Sequence, residues 1–354
     1  MKKKTPGIRF KTLAPRDWNA ARLKRVLSSI RGKRVAVVGD VGIDRYTIGS
    51  VERISPEAPV PIVLVQEERF KLGLAANVAD NVHVLGGKPL LFGVIGKDRA
   101  GQDFKALLRK AGISPSHLVT DPARRTVLKE RVVSDRQQLL RVDYESSEPV
   151  GELVRGRLLK EIQAAIRQSD AIVFEDYAKG LASREFASRL FASARKAKRI
   201  VAVDPNTKTP LEFYRGAYVL TPNTKEAEKL TGISIRDKAS LAAAGTRIAQ
   251  ETRARYVIIT RGKEGMAIFT RGSSEVTLIE TYAREVYDVS GAGDTVIAVL
   301  TLALSSGATV EDACVLGNLA AGVEVGKRGT ATVTPDEIRE ALDFFVKPVA
   351  TLSL

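Results

Sequence analysis

The sequence predicts an α/β fold in which helices cover both faces of a mainly parallel central sheet, with a small second sheet beside it. Short apolar runs typical of buried parallel strands occur at 34–39, 90–95, 171–174, 200–203, 217–220 and 256–260. Helical patterns lie between most of them, near 102–111, 151–168, 183–197 and 238–252, an alternation typical of a sheet covered on both faces. Two further segments, 44–70 and 125–143, are rich in strand-forming residues and have no helix attached. We expect them to pair into a lid over the carboxyl ends of the main strands.

The two ends of the chain differ from this central pattern. Residues 1–16 are basic, and we interpret them as a loose arm. Asp17 is expected to cap a helix over 18–30, and Gly32 is expected to end it. After a strand-rich segment, helices are expected over 292–306, 310–326 and 335–346. The chain therefore divides into an arm and helix at 1–33, a main domain at 34–346 and a tail at 347–354.

The composition excludes several classes of protein. The 354 residues are 44% hydrophobic and 27% charged, which excludes global disorder. The single cysteine, Cys314, excludes an intramolecular disulfide and fits the cytoplasm, where we expect the protein. With only two histidines, a zinc site built from His and Cys is not expected. No apolar run approaches the roughly 18 residues of a membrane span, and the N-terminus lacks the apolar stretch of a signal peptide, so we expect no membrane partner.

The charge balance indicates an anionic partner, although part of it can simply aid solubility. Lys and Arg number 56 against 41 Asp and Glu, a formal net charge of +15. Aromatic residues make up only 6% of the chain, and no segment interleaves them with basic residues. We therefore favour small phosphorylated molecules over nucleic acid as partners.

The sharpest chemical signal is a glycine-rich turn that enters an apolar helix. Gly291-Ala-Gly293 exposes backbone N–H groups at the positive end of that helix, where an anion binds. Asp294 follows in the first turn, and a carboxylate beside a phosphate site can accept the proton of an attacking hydroxyl. Taken alone, Asp294 is equally well explained as a favourable charge at a helix N-terminus.

The chain resembles the PfkB, or ribokinase-like, carbohydrate kinases through five motifs that occur in the order found in that family. Asp288-Val-Ser-Gly-Ala-Gly-Asp-Thr295 resembles the second family signature, and Gly73-Leu-Ala-Ala-Asn77 the first. Between them lie Val203-Asp-Pro205, Thr221-Pro-Asn-Thr-Lys-Glu226 and Ile259-Thr-Arg-Gly262. The resemblance implies a three-layer α/β/α ribokinase-like fold with a β-sheet lid, and a kinase that uses ATP and Mg²⁺.

The resemblance also implies roles for individual residues. Asp294 is the expected base for the sugar hydroxyl, and the N–H groups of Gly291, Ala292, Gly293 and Asp294 are expected to hold the moving phosphoryl group. The expected nucleotide site comprises Asn223, Thr224, Lys225, Glu226, Thr260, Gly262 and Asn318, with Glu226 reaching Mg²⁺ through water. The expected sugar site comprises Asp44, Gly73 and Asn77, with Lys129, Arg131 and Lys179 as candidates for an existing phosphate. Because a helix N-terminus favours an anion, we expect it to lower the pKa of Asp294.

A narrower resemblance is to the heptose 7-phosphate kinases of this family. It rests on residues 39–46, 53–61, 136–143, 176–180 and 325–331. It implies transfer of phosphate from ATP to O1 of D-glycero-β-D-manno-heptose 7-phosphate, in the synthesis of ADP-heptose for lipopolysaccharide. Because His83 and His117 form no His-x-Gly-His motif, we expect a kinase without the adenylyltransferase domain of the bifunctional form.

Two departures from the heptose kinase pattern leave the sugar open. Leu74 stands where a second glycine is usual, and it is strained if that position needs a positive φ. Asn206 stands where lysine is common, which removes one possible phosphate contact.

Other functions remain as alternatives. A kinase of the same family for another sugar needs fewer cations in the lid if that sugar carries no phosphate. A Rossmann oxidoreductase is disfavoured because no Gly-x-Gly-x-x-Gly follows the first strand. A non-catalytic basic binding protein is disfavoured by the intact Gly-Ala-Gly-Asp and Asn-x-x-Glu motifs. Because a small lid leaves strand edges exposed, we also expect a homodimer that pairs the lids.

Overall fold

A computed structural model describes residues 8–134, 137–282, 286–327 and 331–346. The strands are β1 (Arg9–Leu13), β2 (Arg34–Gly39), β3 (Val41–Ile54), β4 (Pro61–Leu74), β5 (Lys88–Gly96), β6 (Leu118–Asp121), β7 (Val127–Ser134), β8 (Gln137–Tyr144), β9 (Ala171–Glu175), β10 (Ile200–Asp204), β11 (Val219–Leu220), β12 (Tyr256–Thr260), β13 (Met266–Thr270) and β14 (Glu275–Ile279). The helices are α1 (Ala20–Ser29), α2 (Ala75–Val84), α3 (Arg99–Lys110), α4 (Glu152–Ile166), α5 (Arg184–Lys196), α6 (Thr224–Thr231), α7 (Lys238–Thr252), α8 (Ala292–Ser305), α9 (Val310–Glu324) and α10 (Pro335–Val346).

The central sheet has ten strands in the order β1-β14-β13-β12-β11-β10-β9-β2-β5-β6. All neighbouring pairs are parallel except those made by β13, which runs antiparallel to both β12 and β14. The sheet is therefore mainly parallel, as the apolar runs predicted. In such a sheet, ligands bind at the carboxyl ends of the strands.

Helices cover both faces of this sheet, because successive strand residues point to opposite sides. In β2, Val35 and Val37 join one buried core and Ala36 and Val38 the other. Helices α1, α2, α3, α8, α9 and α10 pack on the first core, and α4, α5, α6 and α7 on the second. This arrangement confirms the predicted three-layer fold.

The second sheet, which we call the lid, has four strands in the order β4-β3-β7-β8. Strand β3 pairs antiparallel with β4 and parallel with β7, and β7 pairs antiparallel with β8. The two strand-rich segments without helices therefore do pair into a small separate sheet.

The N-terminal prediction is wrong in two respects. Residues Arg9–Leu13 do not form a loose arm, because they pair in parallel with β14 at the edge of the central sheet. The cap of α1 is Asn19, whose side chain accepts a hydrogen bond from Arg22 N at 2.9 Å. Asp17 lies in a preceding 3₁₀ turn and accepts from Ala14 N. Residues 1–7 and the predicted tail at 347–354 lie outside the described residues.

Within the described part of the chain, no helix is both long enough and apolar enough to cross a membrane.

Candidate active site

The candidate site begins at the N-terminus of α8. Gly291 precedes the helix with a φ of +99°, a left-handed conformation that a side chain would strain. Ala292 N donates to Val289 O at 3.4 Å, whereas the N–H groups of Gly293 and Asp294 have no acceptor within the helix. A helix terminus of this geometry can bind an anion, and the role of the glycine-rich turn as an anion site stays a prediction.

The carboxylate of Asp294 is held in place by two side chains. Asn77 Nδ2 donates to Asp294 Oδ2 at 2.6 Å, and the Tyr177 hydroxyl donates to Asp294 Oδ1 at 2.9 Å. Burial raises the pKa of Asp294 to about 6, and the nearby Asp44 acts in the same direction, whereas the two hydrogen bonds oppose the shift. Our expectation of a lowered pKa was wrong because burial outweighs the helix terminus. A pKa near 6 suits a base that works at neutral pH.

Two more carboxylates end neighbouring strands beside Asp294. Glu175 is the last residue of β9 and Asp204 the last residue of β10, and oxygens of all three groups lie within 4.8 Å of one another. Neither carboxylate oxygen of Glu175 has a hydrogen-bond partner among the described residues, and the side chain is buried. Burial and mutual repulsion raise the pKa values of Glu175 and Asp204 well above the ordinary range. Such a cluster is electrostatically incomplete and favours a bound cation.

The predicted nucleotide residues lie beside this acidic cluster. Asn223 caps α6, and it forms a reciprocal pair of hydrogen bonds with Glu226 at 3.0 and 2.8 Å. The Thr224 hydroxyl donates to the carbonyl oxygen of Thr260 at 3.3 Å, which joins the start of α6 to the end of β12. The charge of Glu226 contributes to the raised pKa of Asp204, so the two carboxylates face a common space.

The other predicted nucleotide residues are more dispersed. Lys225 is exposed, and Gly262 opens a 3₁₀ turn after β12 with a φ of +55°. Asn318 is buried on α9, and its amide donates to the carbonyl oxygen of Glu280 after β14. Among the described residues, no hydrogen bond joins Asn318 to Thr260.

The predicted sugar residues meet where the lid joins α2. Gly73 pairs with Gly42, which lies two residues before Asp44 in β3. A Cβ built on Gly73 would lie 2.7 Å from Asp44 Oδ2. Any side chain at Gly73 would displace that carboxylate. Asn77, in the first turn of α2, donates one hydrogen bond to Asp294 through Nδ2, which leaves its oxygen and its second N–H for other partners.

The three candidate phosphate cations lie together but are already paired. Register places Asp44 opposite Lys129 and Arg131 two residues further along the same face of the lid. Arg131 forms an ion pair with Asp44, while Lys129 and Lys179 both bind Glu145. The structure therefore brings the predicted cations together and adds counter-ions that the sequence did not reveal.

The two positions that departed from the family pattern behave differently. Leu74 precedes α2 with φ +58° and ψ −140°, a region that is essentially reserved for glycine, so the expected strain is present. The Asn206 side chain accepts a hydrogen bond from Lys208 N at 3.0 Å and shapes a local turn.

Sequence reasoning missed the residues that position the base. The loop after β9 is fixed by Asp40, whose carboxylate accepts from Tyr177 N at 3.2 Å and Lys179 N at 3.0 Å. Burial raises the pKa of Asp40 to about 6. Between those two residues, Ala178 has a φ of +53°, so the loop turns sharply and sends Tyr177 to Asp294. Polar residues at the ends of apolar strands were the available signal for Glu175 and Asp204.

The glycine turn of α8 and the buried Asp294 lie beside a cluster of carboxylates at the strand ends of a mainly parallel sheet. This is the arrangement expected of a phosphotransferase of the three-layer α/β class. The comparison with known families is specific. The chain belongs to the pfkB family of carbohydrate kinases, whose family model matches residues 32–337.

Relatives of known sequence agree with this assignment. The bifunctional protein HldE of Paramagnetospirillum magneticum is 41% identical over 323 residues, which cover 91% of this chain and 66% of that protein. The bifunctional protein HldE of Geobacter sulfurreducens is 44% identical over 308 residues, which cover 87% and 62%. The chain thus spans just under two thirds of these relatives.

Solved structures confirm the fold at lower identity. Phosphofructokinase-2 from Escherichia coli, in complex with potassium, matches with a TM-score of 0.73 at 18% identity, covering 89% of this chain and 99% of that one. Ribokinase from Arabidopsis thaliana, complexed with ribose and ATP, matches with a TM-score of 0.68 at 19% identity, covering 90% and 99%.

Proposed function

We propose that the chain transfers the γ-phosphoryl group of ATP to O1 of D-glycero-β-D-manno-heptose 7-phosphate, giving the 1,7-bisphosphate for ADP-heptose synthesis in the cytoplasm. The observation that carries the chemistry is Asp294, held by Asn77 and Tyr177 in front of the α8 terminus. The motifs in the lid and the identity to the HldE proteins support the choice of sugar.

The residues divide the work of one displacement. The sugar hydroxyl oxygen forms a bond to the γ-phosphorus while the bond from that phosphorus to the ADP oxygen breaks. Asp294 takes the hydroxyl proton, and the N–H groups of the α8 terminus face the charge on the moving phosphoryl group. Asn77 and Tyr177 fix both oxygens of Asp294, so the base is oriented before the sugar arrives.

The acidic cluster fits the Mg²⁺ that accompanies ATP. The carboxyl group of Glu175 is the test, because a buried polar group without a hydrogen-bond partner is costly and a hard cation that replaces its proton would satisfy it. Glu175 and Asp204 would hold the ion with Glu226 acting through water, and bound Mg²⁺ neutralises charge on the phosphates.

We expect Asp204→Asn to raise the Mg²⁺ concentration at half-maximal rate about tenfold or more, whereas Asp143→Asn in the lid leaves it unchanged. Equal Mg²⁺ dependence in both variants would refute this assignment.

The lid is proposed to hold the existing 7-phosphate through Lys129, Lys179 and Arg131. Arg131 pairs with Asp44, which is expected to bind the sugar, and Lys129 lies opposite Asp44 in the lid. Lys179 is joined to Lys129 through Glu145. This arrangement suits a substrate whose far end carries a dianion, because a neutral sugar needs no such cations.

The decisive assay is ATP-dependent phosphorylation of D-glycero-D-manno-heptose 7-phosphate beside ribose and fructose 6-phosphate, read by product mass and phosphorus NMR. A 1,7-bisphosphate formed far faster than the other products supports the proposal. Turnover of another sugar alone would move the specificity elsewhere in the family.

Asp294→Asn is expected to lose about 10²–10⁴-fold in turnover and to keep ATP binding. Normal turnover in that variant would overturn the role of Asp294.

We also propose a homodimer through the lids. Ile54, Val60, Leu64 and Leu140 on the lid strands or their connection are each more than half exposed, and β4 and β8 are the outer strands of the lid. Pairing two lids would cover both features. Sedimentation at micromolar concentration should give twice the chain mass, and Leu64→Glu should give a monomer; a wild-type monomer would refute the dimer.

A further inference from the structure

The carboxylate of Glu145 lies between two cations of the lid. Its Oε2 is 2.9 Å from Lys129 Nζ, and its Oε1 pairs with Lys179 Nζ. Both lysine side chains are 15% exposed and that of Glu145 is 22% exposed, so the three groups are largely withdrawn from water. Although partial burial opposes it, hydrogen bonds from Lys179 and Lys129 hold the pKa of Glu145 below its ordinary value. Glu145 is therefore an anion at neutral pH.

The backbone around Glu145 is anchored to the loop that carries Lys179. The Arg124 guanidinium donates to the carbonyl oxygens of Ser146, Glu148 and Lys179, which ties the segment after β8 to the loop after β9. This bridge keeps the Cα of Glu145 near both lysines. The side chain has rotatable bonds and can leave the lysines while the backbone stays in place.

The pair of lysines is also connected to the base. Lys179 N is bound by Asp40, and two residues earlier Tyr177 donates to Asp294. Lys129 lies opposite Asp44 in the lid. The two lysines therefore belong to the same loop and lid that carry Tyr177 and Asp44.

We propose that Glu145 occupies the place of the substrate phosphate in the free enzyme and is displaced by it, so that this residue sets the selectivity for dianionic substrates. The inference rests on the proposed function, because it assigns the lysines to a substrate phosphate. A sugar phosphate carries a charge of about −1.5 to −2 at neutral pH and outcompetes one carboxylate. A neutral sugar, or one with a single weak charge, does not release the lysines from Glu145.

The local charge explains the direction of the expected effect. Among the described residues, Glu145 is the acid that pairs with both Lys129 and Lys179, whereas Asp143 contacts Lys129 and shares its charge with Arg141. Glu145→Gln keeps the shape and removes one negative charge, which leaves the lysines with an excess positive charge. The affinity for a phosphate should therefore rise, whereas a Glu145 that contacts sugar or merely supports the lid would give a lower affinity when replaced.

The test is a comparison of Glu145→Gln with wild type in two assays. In the kinase assay, we expect the KM for heptose 7-phosphate to fall about fivefold with kcat within about twofold. In calorimetry with inorganic phosphate and no nucleotide, we expect the Kd to fall by a similar factor. The second assay does not depend on which sugar is phosphorylated, so an inactive wild type with tighter phosphate binding by the variant would refute the proposed sugar and keep the role of Glu145.

Two further variants keep the result interpretable. Asp143→Asn removes an acid that contacts Lys129 at 3.2 Å and also binds Arg141, but does not contact Lys179, so we expect less than a twofold change in KM. An equal fall in KM for Asp143→Asn would show a general charge effect and overturn the specific role. Glu145→Asp keeps the charge on a shorter side chain, so its KM should lie between those of wild type and Glu145→Gln. This variant provides the test if Glu145→Gln does not fold. A KM that is unchanged or raised in a folded Glu145 variant would overturn the proposal.

Discussion

The buried charge of Asp294 should cost the protein stability that a neutral side chain restores. Asp294→Asn keeps the size of the side chain and retains an acceptor for Asn77. The folded-state pKa is about 6 against 3.8 for an ordinary aspartate. A difference of about two units corresponds to about 3 kcal/mol of unfavourable ionisation at pH 8. We therefore expect the catalytically impaired variant to be more stable than the active protein.

The sign and the pH window follow from that raised pKa. Below the unfolded pKa of 3.8 the carboxyl is neutral in both states, and the variant gains nothing. The cost to wild type grows between about pH 4 and pH 6 and is constant above the folded pKa. The expected gain in the variant is thus about 1 kcal/mol at pH 4.5 and about 3 kcal/mol at pH 8. Relief of Glu175 and Asp204, whose pKa values Asp294 also raises, adds to it.

The assay is urea unfolding of both proteins at pH 4.5 and pH 8, in EDTA and without nucleotide so that no cation offsets the charge. Asp98→Asn is the control of opposite sign. Although partial burial opposes it, hydrogen bonds from Thr126 and Gly101 lower the pKa of Asp98, so its charge stabilises the fold above its unfolded pKa and that stability is lost as pH falls. A gain for Asp294→Asn that is absent at pH 8, or equal at both pH values, would refute the reasoning.

Three further predictions follow from single residues. The kcat/KM should fall about tenfold between pH 7 and pH 5 as Asp294 is protonated. Tyr177→Phe removes a hydrogen bond that lowers the pKa of Asp294, so it should move this transition to higher pH. A transition that stays in place in Tyr177→Phe would show that the substrate phosphate, and not Asp294, is the titrating group. In urea unfolding, Leu74→Gly should lower the free energy of unfolding by at least about 1–2 kcal/mol less than Leu72→Gly does. Both leucines are buried, but of the two positions only 74 has a positive φ, where glycine relieves backbone strain. Equal losses in the two variants would show that the strain is absent. Cys314 is fully buried and its thiol pKa is raised, so it should react with a thiol reagent only on unfolding, and rapid reaction of the native protein would contradict the packing.

Local pattern predicted most of the fold but not the edge of the central sheet. Buried strands such as β2 and β9 are almost wholly apolar, so their assignment needed no knowledge of their partners. Strand β1 is short and basic, with a largely exposed surface, and among the described strands it pairs with β14 alone, which lies more than 250 residues away in sequence. A segment of that composition is indistinguishable from a solvated arm until its partner is known, because pairing rather than propensity stabilises it.

The site was predictable where one short motif carried it. The turn at 291–294 contains its own geometry, since glycine, helix start and carboxylate are adjacent in sequence. The acidic cluster is different, because Glu175 and Asp204 end separate strands and become neighbours only through the parallel pairing of β9 with β10. The pKa of Asp294 could not be predicted either, since the helix terminus was visible in the sequence and the burial that outweighs it was not.

The two charged ends of the site differ in a way that bears on substrate binding. At the nucleotide end, Glu175 has no hydrogen-bond partner among the described residues, so an arriving cation relieves repulsion and displaces no side chain. At the lid end, Lys129 and Lys179 already hold Glu145, so an arriving phosphate must first break two ion pairs. Binding energy from the sugar phosphate is therefore partly used in the lid, whereas cation binding is opposed by no such contact. In the proposed function, this asymmetry would give the lid the larger share in rejecting wrong substrates, because only a ligand with sufficient charge offsets the lost pairs.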